Sequence, residues 1–373
     1  MDARSLLAVG GFRDDGLRSI ADAARSTGIN PVFLDRASEL SSSLDDTDPL
    51  AVVLRLDAPG ASQACMLLRS TARLTGVPVF GYSADRSDLA FVELFSWGGD
   101  DMVSLASDKL ARRLRHLLTR PSATGQVPLL REGYAIVGGS DPRWRTLMAR
   151  ALLNGGHTVR FASNTADMLA DLETAEVNLV VVADDLEPEG ATKTAALARK
   201  SGSRVPWVIV APPKRMGAAR AEIAGLAKVT VTDAYAPPEN VLFMANELGR
   251  DGLVDKRASP RVLYGASVEF RVAGRDEGET GFTYNVSTGG VYVRTFAPIE
   301  SGQEVWIELW PPRSERRVRL AGKVAWRRLF GPNEMATVPP GFGVRITDGL
   351  AGDLERYQSG VRSFADMVLG DSD

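Results

Sequence analysis

Arg257-Ala-Ser-Pro-Arg261 sets two guanidiniums four residues apart, and Pro260 keeps the segment out of helix. Its companion is Asn285-Val-Ser-Thr-Gly-Gly290, with a carboxamide at Asn285, a hydroxyl at Ser287 and glycines at Gly289 and Gly290. The interval between Arg261 and Asn285 is long enough for one strand, a loop and the start of another. An arginine pair can grip phosphates bidentately and stack on a purine ring. An amide and a hydroxyl can read base edges, and a glycine lets backbone approach a ligand closely. Together these residues describe a site for an anionic purine nucleotide.

The surrounding residues read as a small β domain. Val262 to Phe270, Gly281 to Asn285, Gly290 to Phe296, Glu304 to Trp310 and Arg317 to Trp326 are short strand candidates, several separated by Gly- and Pro-containing turns. Closely spaced antiparallel strands of this kind point to a barrel. A closing helix carries Leu350, Leu354, Tyr357 and Val361 at helical spacing.

The RxxxR pair followed by NxSxxG resembles the PilZ domain, the bacterial receptor module for cyclic di-GMP. Gly322-Lys-Val-Ala-Trp326 and Pro340-Gly-Phe-Gly-Val-Arg-Ile346 look like that family's later barrel strands. The resemblance implies that Arg257 and Arg261 clamp phosphates and stack on guanine, with a further phosphate contact from Lys256. It implies that Asn285 and Ser287 contact guanine edges, and that Gly289 and Gly290 complete the site, Gly290 keeping the pocket open. The family often has Asp where this chain has Asn285; an amide both accepts and donates, so the contact survives in altered form. The bland alternatives are solvated loop charges for the arginines and turn formation for Asn285, Ser287 and the glycines. Arg313, Arg316 and Arg317 read as a solvated loop, and Trp326 as a core residue.

The first two thirds alternate strands with helices. Leu6 to Val9 runs into Gly10-Gly11, then Leu17, Ile20, Ala21 and Ala24 recur at helical spacing. Pro31 to Leu34, Ala51 to Leu56 and Val77 to Tyr82 are further strands, and a helix with Leu110, Leu114, Leu117 and Leu118 closes the unit. The pattern repeats from Tyr134 to Val137, again ending in a glycine pair, with strands at His157 to Phe161, Asn178 to Val182 and Trp207 to Val210. Such alternation implies parallel, doubly wound sheets. Both units resemble the receiver domain of response regulators, through Gly98-Gly-Asp-Asp-Met-Val103 in the first and Asp141-Pro142 in the second. The architecture expected is therefore two doubly wound receiver-like α/β domains, 1–121 and 131–250, then a small antiparallel β-barrel with a C-terminal helix, 254–366.

Receiver phosphotransfer needs an acidic pair for Mg²⁺, an acceptor aspartate, a hydroxyl and a lysine. In the first unit these positions fall on Gly10 and Gly11, Arg55, Ser83 and Leu105. In the second they fall on Gly139 and Ser140, on Ala183 or Asp184, on Ala211 and on Ala236. Asp184 reads as a solvated strand-end carboxylate, and both units as receiver-like folds without phosphotransfer.

A net charge of −3 disfavours a binder of nucleic-acid polymers or membrane surfaces. Cys65 is the only cysteine, so neither an intrachain disulfide nor a cysteine metal site is expected. No apolar run reaches the ~18–20 residues that span a bilayer. The expectation is a cytoplasmic, non-catalytic signalling receptor for cyclic di-GMP with no cofactor, acting on a protein partner through the receiver-like units. Gly249 to Gly252 reads as a flexible joint that ligand would order. A phosphorylation-driven regulator and a ligand-free interaction scaffold are the alternatives.

Overall fold

The computed structural model describes residues 4–44, 47–84, 87–105, 108–119, 131–249, 259–331 and 337–370. The first unit runs β1 (Ser5–Val9), α1 (Asp14–Arg25), β2 (Asn30–Leu34), α2 (Leu40–Ser43), β3 (Pro49–Arg55), α3 (Ala61–Ser70), β4 (Val79–Tyr82), α4 (Asp88–Ser96), β5 (Asp101–Met102) and α5 (Lys109–Leu118). Its strands form a parallel sheet in the order β2-β1-β3-β4-β5. The apolar run of β1 is buried on both faces. Leu6 and Ala8 enter one core with Ile20 and Leu114, while Leu7 and Val9 enter another with Leu40 and Leu68. Side chains alternate across a strand, so only an unbroken apolar run can serve helices on both faces.

The second unit repeats this with β6 (Tyr134–Gly138), α6 (Pro142–Asn154), β7 (Thr158–Ala162), α7 (Thr165–Thr174), β8 (Val177–Ala183), α8 (Ala191–Lys200), β9 (Trp207–Ala211), α9 (Pro213–Glu222), β10 (Val229–Asp233) and α10 (Asn240–Leu248). The strand order is β7-β6-β8-β9-β10, the same winding.

The third unit comprises β11 (Val262–Leu263), β12 (Ser267–Val272), β13 (Glu279–Ser287), β14 (Gly290–Arg294), β15 (Glu304–Leu309), β16 (Val318–Arg328), β17 (Gly341–Gly349) and α11 (Asp353–Gly370). Antiparallel pairing runs β13-β12-β15-β16-β17-β14, and β14 returns to β13, so six strands close a barrel while β11 adds to the side of β13. Val268, Phe270, Val293, Ile307, Leu320 and Phe342 fill it, and α11 contributes Tyr357, Val361 and Ala365 to that core. Two local expectations change. The stretch from Val262 to Phe270 is two strands, because the Thr283 hydroxyl takes the place of ladder bonds, accepting from Ala266 N and donating to Tyr264 O. Leu350 precedes the closing helix and is exposed.

The three units meet around Asp100 and Asp101. Asp100 accepts from Arg69 of α3 at 2.8 Å and from Arg150 of α6 at 2.7 Å, tying the two α/β units together. Burial alone would raise its carboxyl, but Arg150 and Arg69 overcome that and hold it below the usual carboxylate range. Asp101 accepts from Arg113 of α5 at 2.8 Å and from the Phe296 amide of the barrel at 2.7 Å. Arg113 continues to Glu279 of β13 at 3.1 Å. From β14, Arg294 donates to both Glu239 oxygens (3.1 and 3.2 Å) and to the Gly99 carbonyl (3.1 Å), and lies 3.6 Å above the Phe95 ring. Phe282 of β13 stacks on Phe91 of α4 at 5.0 Å. The barrel is thus seated on α4, β5 and α5 of the first unit and on the start of α10.

Two expected outcomes follow from these burials. Removing one partner of a buried ion pair costs roughly 3–5 kcal/mol, whereas an exposed pair is worth about 0–1. Asp101→Ala should lose the larger amount in chemical denaturation, and Asp15→Ala, which breaks the exposed pair with Arg18, should change little. Equal small losses would contradict this arrangement.

His157, only 5 % exposed, is lowered to about 4 by burial and then by the Arg131 charge. As pH falls below about 6.5 the unfolded chain takes up a proton that the folded protein refuses until about 4, so stability declines across that window. Denaturation midpoints between those pH values should fall less steeply in His157→Gln than in the parent. An unchanged slope would show that His157 contributes nothing to it.

Candidate functional site

The candidate site lies on the outer face of the barrel. β11 pairs with β13 so that Val262 faces Val286 and Leu263 faces Asn285. Continuing that register by one residue sets Arg261 beside Ser287. Ser287 faces Gly290, Gly290 faces Arg345, and Arg345 faces Lys323, making one row across four strands with Arg261, just before β11, at its edge. A second row runs Asn285, Tyr292, Gly343 and Trp326.

A bulge makes this face possible. The β13–β14 register shifts between Thr283 and Asn285, leaving Tyr284 as the extra residue. Before it, Phe282 points outward onto α4. After it, Val286 points into the barrel core. An unbroken period of two would send Asn285 and Ser287 inward; the extra residue turns both outward.

The hairpin end is held from beneath. The Tyr357 hydroxyl of α11 donates toward the carbonyls of Ser287 (3.1 Å) and Gly290 (2.9 Å), and burial pushes its phenol well above the usual range. The Ile346 amide donates to the Gly289 carbonyl at 3.0 Å. A Cβ on Gly290 would stand 2.7 Å from the Val344 carbonyl oxygen, so only glycine lets β17 pair this closely. Gly289 has open space around its Cβ position, and its demand for glycine is correspondingly weak.

The structure therefore brings Arg261, Asn285, Ser287, Gly289 and Gly290 together. Arg261 is exposed, Ser287 is half-buried, and Asn285 is 4 % exposed within the strand rather than in a turn. Lys256 and Arg257 lie outside the described residues, as does the joint from 250 to 258. Trp326, read from sequence as core, is instead 36 % exposed, tilted against Tyr292 at 5.0 Å on the outer face. Its core reading fails because the β16–β17 register shifts between Val324 and Trp326, redirecting the side chain. Arg317, read as a loop charge, pairs with Glu269 at 3.2 Å. Sequence reasoning passed over Arg345 and Lys323, which only strand register places beside the motif.

The phosphotransfer positions are filled otherwise. In the first unit Arg55 occupies the acceptor position, donating to the Gly11 carbonyl and pairing with Asp57 at 3.1 Å. Leu105, at the lysine position, is buried in the core. In the second unit Asp141 caps α6, accepting from the Arg143 amide at 2.8 Å. Asp184 is not a solvated carboxylate. Arg215 of α9 grips it at 2.9 and 3.4 Å and also bonds Glu222 at 3.1 Å. Among the described residues no group of three or more His, Cys, Asp or Glu is placed to hold a metal ion, and no helix is long and apolar enough to cross a membrane.

A closed six-strand barrel with a C-terminal helix, preceded by two receiver-like sheets, defines the class. The family model described as the PilZ domain matches residues 255–361, and that segment is a PilZ domain. The search of curated proteins finds no match. Among solved structures, the chain is similar to the Bacillus subtilis inhibitor of motility (MotI/DgrA), at 18 % identity over 32 % of this chain and 55 % of that one, TM-score 0.26. It thus spans about half the length of that protein. It is also similar to the PilZ domain of CeSA from a cellulose-synthesizing bacterium (20 % identity, 31 % and 100 % covered, TM-score 0.21). A probable two-component system response regulator/GGDEF domain protein is similar at 19 % identity, 66 % and 99 % covered, TM-score 0.31.

The occupied acceptor positions carry their own expectation. Incubation with acetyl phosphate or beryllofluoride and Mg²⁺ should leave the intact mass and the fold of the protein unchanged. A stoichiometric phosphoaspartate lost on Asp184→Ala would overturn it.

Proposed function

We propose that this protein is a cytoplasmic, non-catalytic receptor for cyclic di-GMP, with receiver-like units at 1–121 and 131–250 and a PilZ barrel at 254–366. The observation that carries the reading is the outward row in which Arg261, Ser287 and Gly290 stand side by side, within the segment that the PilZ model matches. Arg257 and Arg261 clamp the phosphates and stack on guanine, with Lys256 adding a contact. Asn285 and Ser287 take the guanine edges, the amide serving as both donor and acceptor. Gly289 and Gly290 leave room for the ring. All the chemistry asked of these residues is binding.

The output in this reading passes through the barrel's seat on the α/β units. β13 carries Asn285 and Ser287 at one end, and Glu279, Phe282 and Tyr284 at the interdomain end. Ligand that orders the hairpin favours one seating of the barrel over others, which is the differential stabilisation a switch requires. The receiver-like units then present or withdraw a surface for a protein partner. A phosphorylation-driven regulator is the weaker reading, because Arg215 already holds Asp184. A ligand-free scaffold is separated from a receptor by one titration.

Calorimetric titration with cyclic di-GMP is that experiment. A hydrogen bond to a charged group is worth roughly 1.5–3 kcal/mol. Arg257→Ala and Arg261→Ala should therefore each weaken binding at least about tenfold. Parent-like affinity in both variants would sink the assignment. With ligand bound, hydrogen exchange should slow both at residues 249–262 and at β5; tight binding with no added protection in either place would leave a sensor without this output.

A further inference from the structure

Arg345 on β17 and Lys323 on β16 stand directly opposite each other in the antiparallel ladder, and both are exposed. Cross-strand partners have Cβ atoms roughly 4.5–5.5 Å apart, and like charges so placed repel. Among the described residues neither side chain has an ion pair or hydrogen bond. Glu304 faces Lys323 from its other side without forming an ion pair. Elsewhere the barrel supplies its own counter-charges: Glu308 neutralises Arg317 and Arg319, and Glu300 neutralises Arg327. Among the described residues no carboxylate pairs with Arg345 or Lys323 in this way.

Its position gives it a use. Arg345 faces Gly290, whose other neighbour is Ser287, beyond which lies Arg261. At roughly 4.8 Å per strand, Arg261 and Arg345 stand about 14 Å apart at their backbones. Ser287 and Gly290 make the floor between them, and the Trp326 indole lies alongside, over Gly343. The result is a shallow trough with cations on both banks.

We propose that Arg345, with Lys323 behind it, is a second anion subsite, holding an anionic group of the nucleotide on the bank opposite Arg261. The inference rests on the cyclic di-GMP reading and extends it. An anion between the two cations converts their repulsion into two attractions, so the cost in the free protein is recovered on binding.

The test compares Arg345→Gln, Lys323→Gln and the double variant with Arg261→Ala, titrating cyclic di-GMP at low and high salt and melting each protein without ligand. Arg345→Gln should weaken binding about tenfold and Lys323→Gln about threefold, with a shallower salt dependence in the double variant. Without ligand the double variant should melt at or above the parent, because a repulsion has been removed. Parent-like affinity in the double variant, with Arg261→Ala impaired, overturns the subsite and spares the receptor reading. If the parent binds no cyclic di-GMP, the receptor reading falls and inorganic pyrophosphate becomes the probe. A rise in melting temperature in the parent that is absent in the double variant then supports an anion subsite by itself, and no rise overturns it.

Discussion

The Asp101 carboxylate, fully buried between Arg113 and the amide of Phe296, is the contact on which the arrangement of the whole chain depends. With Asp100, Glu239 and Glu279 it meets Arg69, Arg113, Arg150 and Arg294 in one buried network spanning three units. Desolvating such ions costs several kcal/mol each, and their mutual attraction about offsets it. The network therefore adds less to affinity between the units than to selection among their orientations. Any other seating of the barrel strands a buried charge. The adhesive part is apolar, supplied by Phe282 against Phe91 and Phe95 and by Phe296 against Phe80. Arginine suits the polar part because its planar fork serves several acceptors at once, as Arg294 does with Glu239 and two backbone carbonyls.

The same strand serves the interface and the candidate site because of one extra residue. With Tyr284 bulged, outward positions run Phe282, Tyr284, then Asn285 and Ser287. Tyr284 donates to the Glu239 carbonyl at 2.8 Å and is adjacent in sequence to the Asn285 amide. The hairpin is fastened at both ends, by Tyr357 under Ser287 and Gly290, and by Arg294 under Gly99. That geometry ties the outer-face hairpin to the receiver-like units through β13 and β14 themselves.

Much of the architecture was legible because parallel strands buried on both faces demand continuous apolar runs. Leu6 to Val9, Ala51 to Leu54 and Trp207 to Val210 announce themselves this way. The barrel was legible through alternation, as in Val305, Ile307 and Leu309. Bulges were not legible, since a single extra residue leaves composition and spacing almost unchanged. Trp326 was misread for that reason. Arg345 and Lys323 were invisible for another: their significance is a register between strands well separated in sequence. The Asp100-Asp101 pair was noticed only as part of a receiver-like stretch, because no local pattern distinguishes a carboxylate awaiting a cation in solution from one awaiting an arginine of a distant helix or of the next unit.

That last distinction separates the two kinds of arginine on this barrel. Arg294 is 2 % exposed and fully supplied with acceptors by the protein, so its desolvation is met once, during folding. Arg261 and Arg345 are exposed and keep their hydration. A dehydrated, paired guanidinium has little left to offer a ligand, whereas a hydrated, unpaired one gains a charge-assisted bond when an anion arrives. The barrel thus directs one set of cations inward to fix its place against the α/β units. Another set remains on the outer face, where the attraction available to an anion has not already been used by the fold.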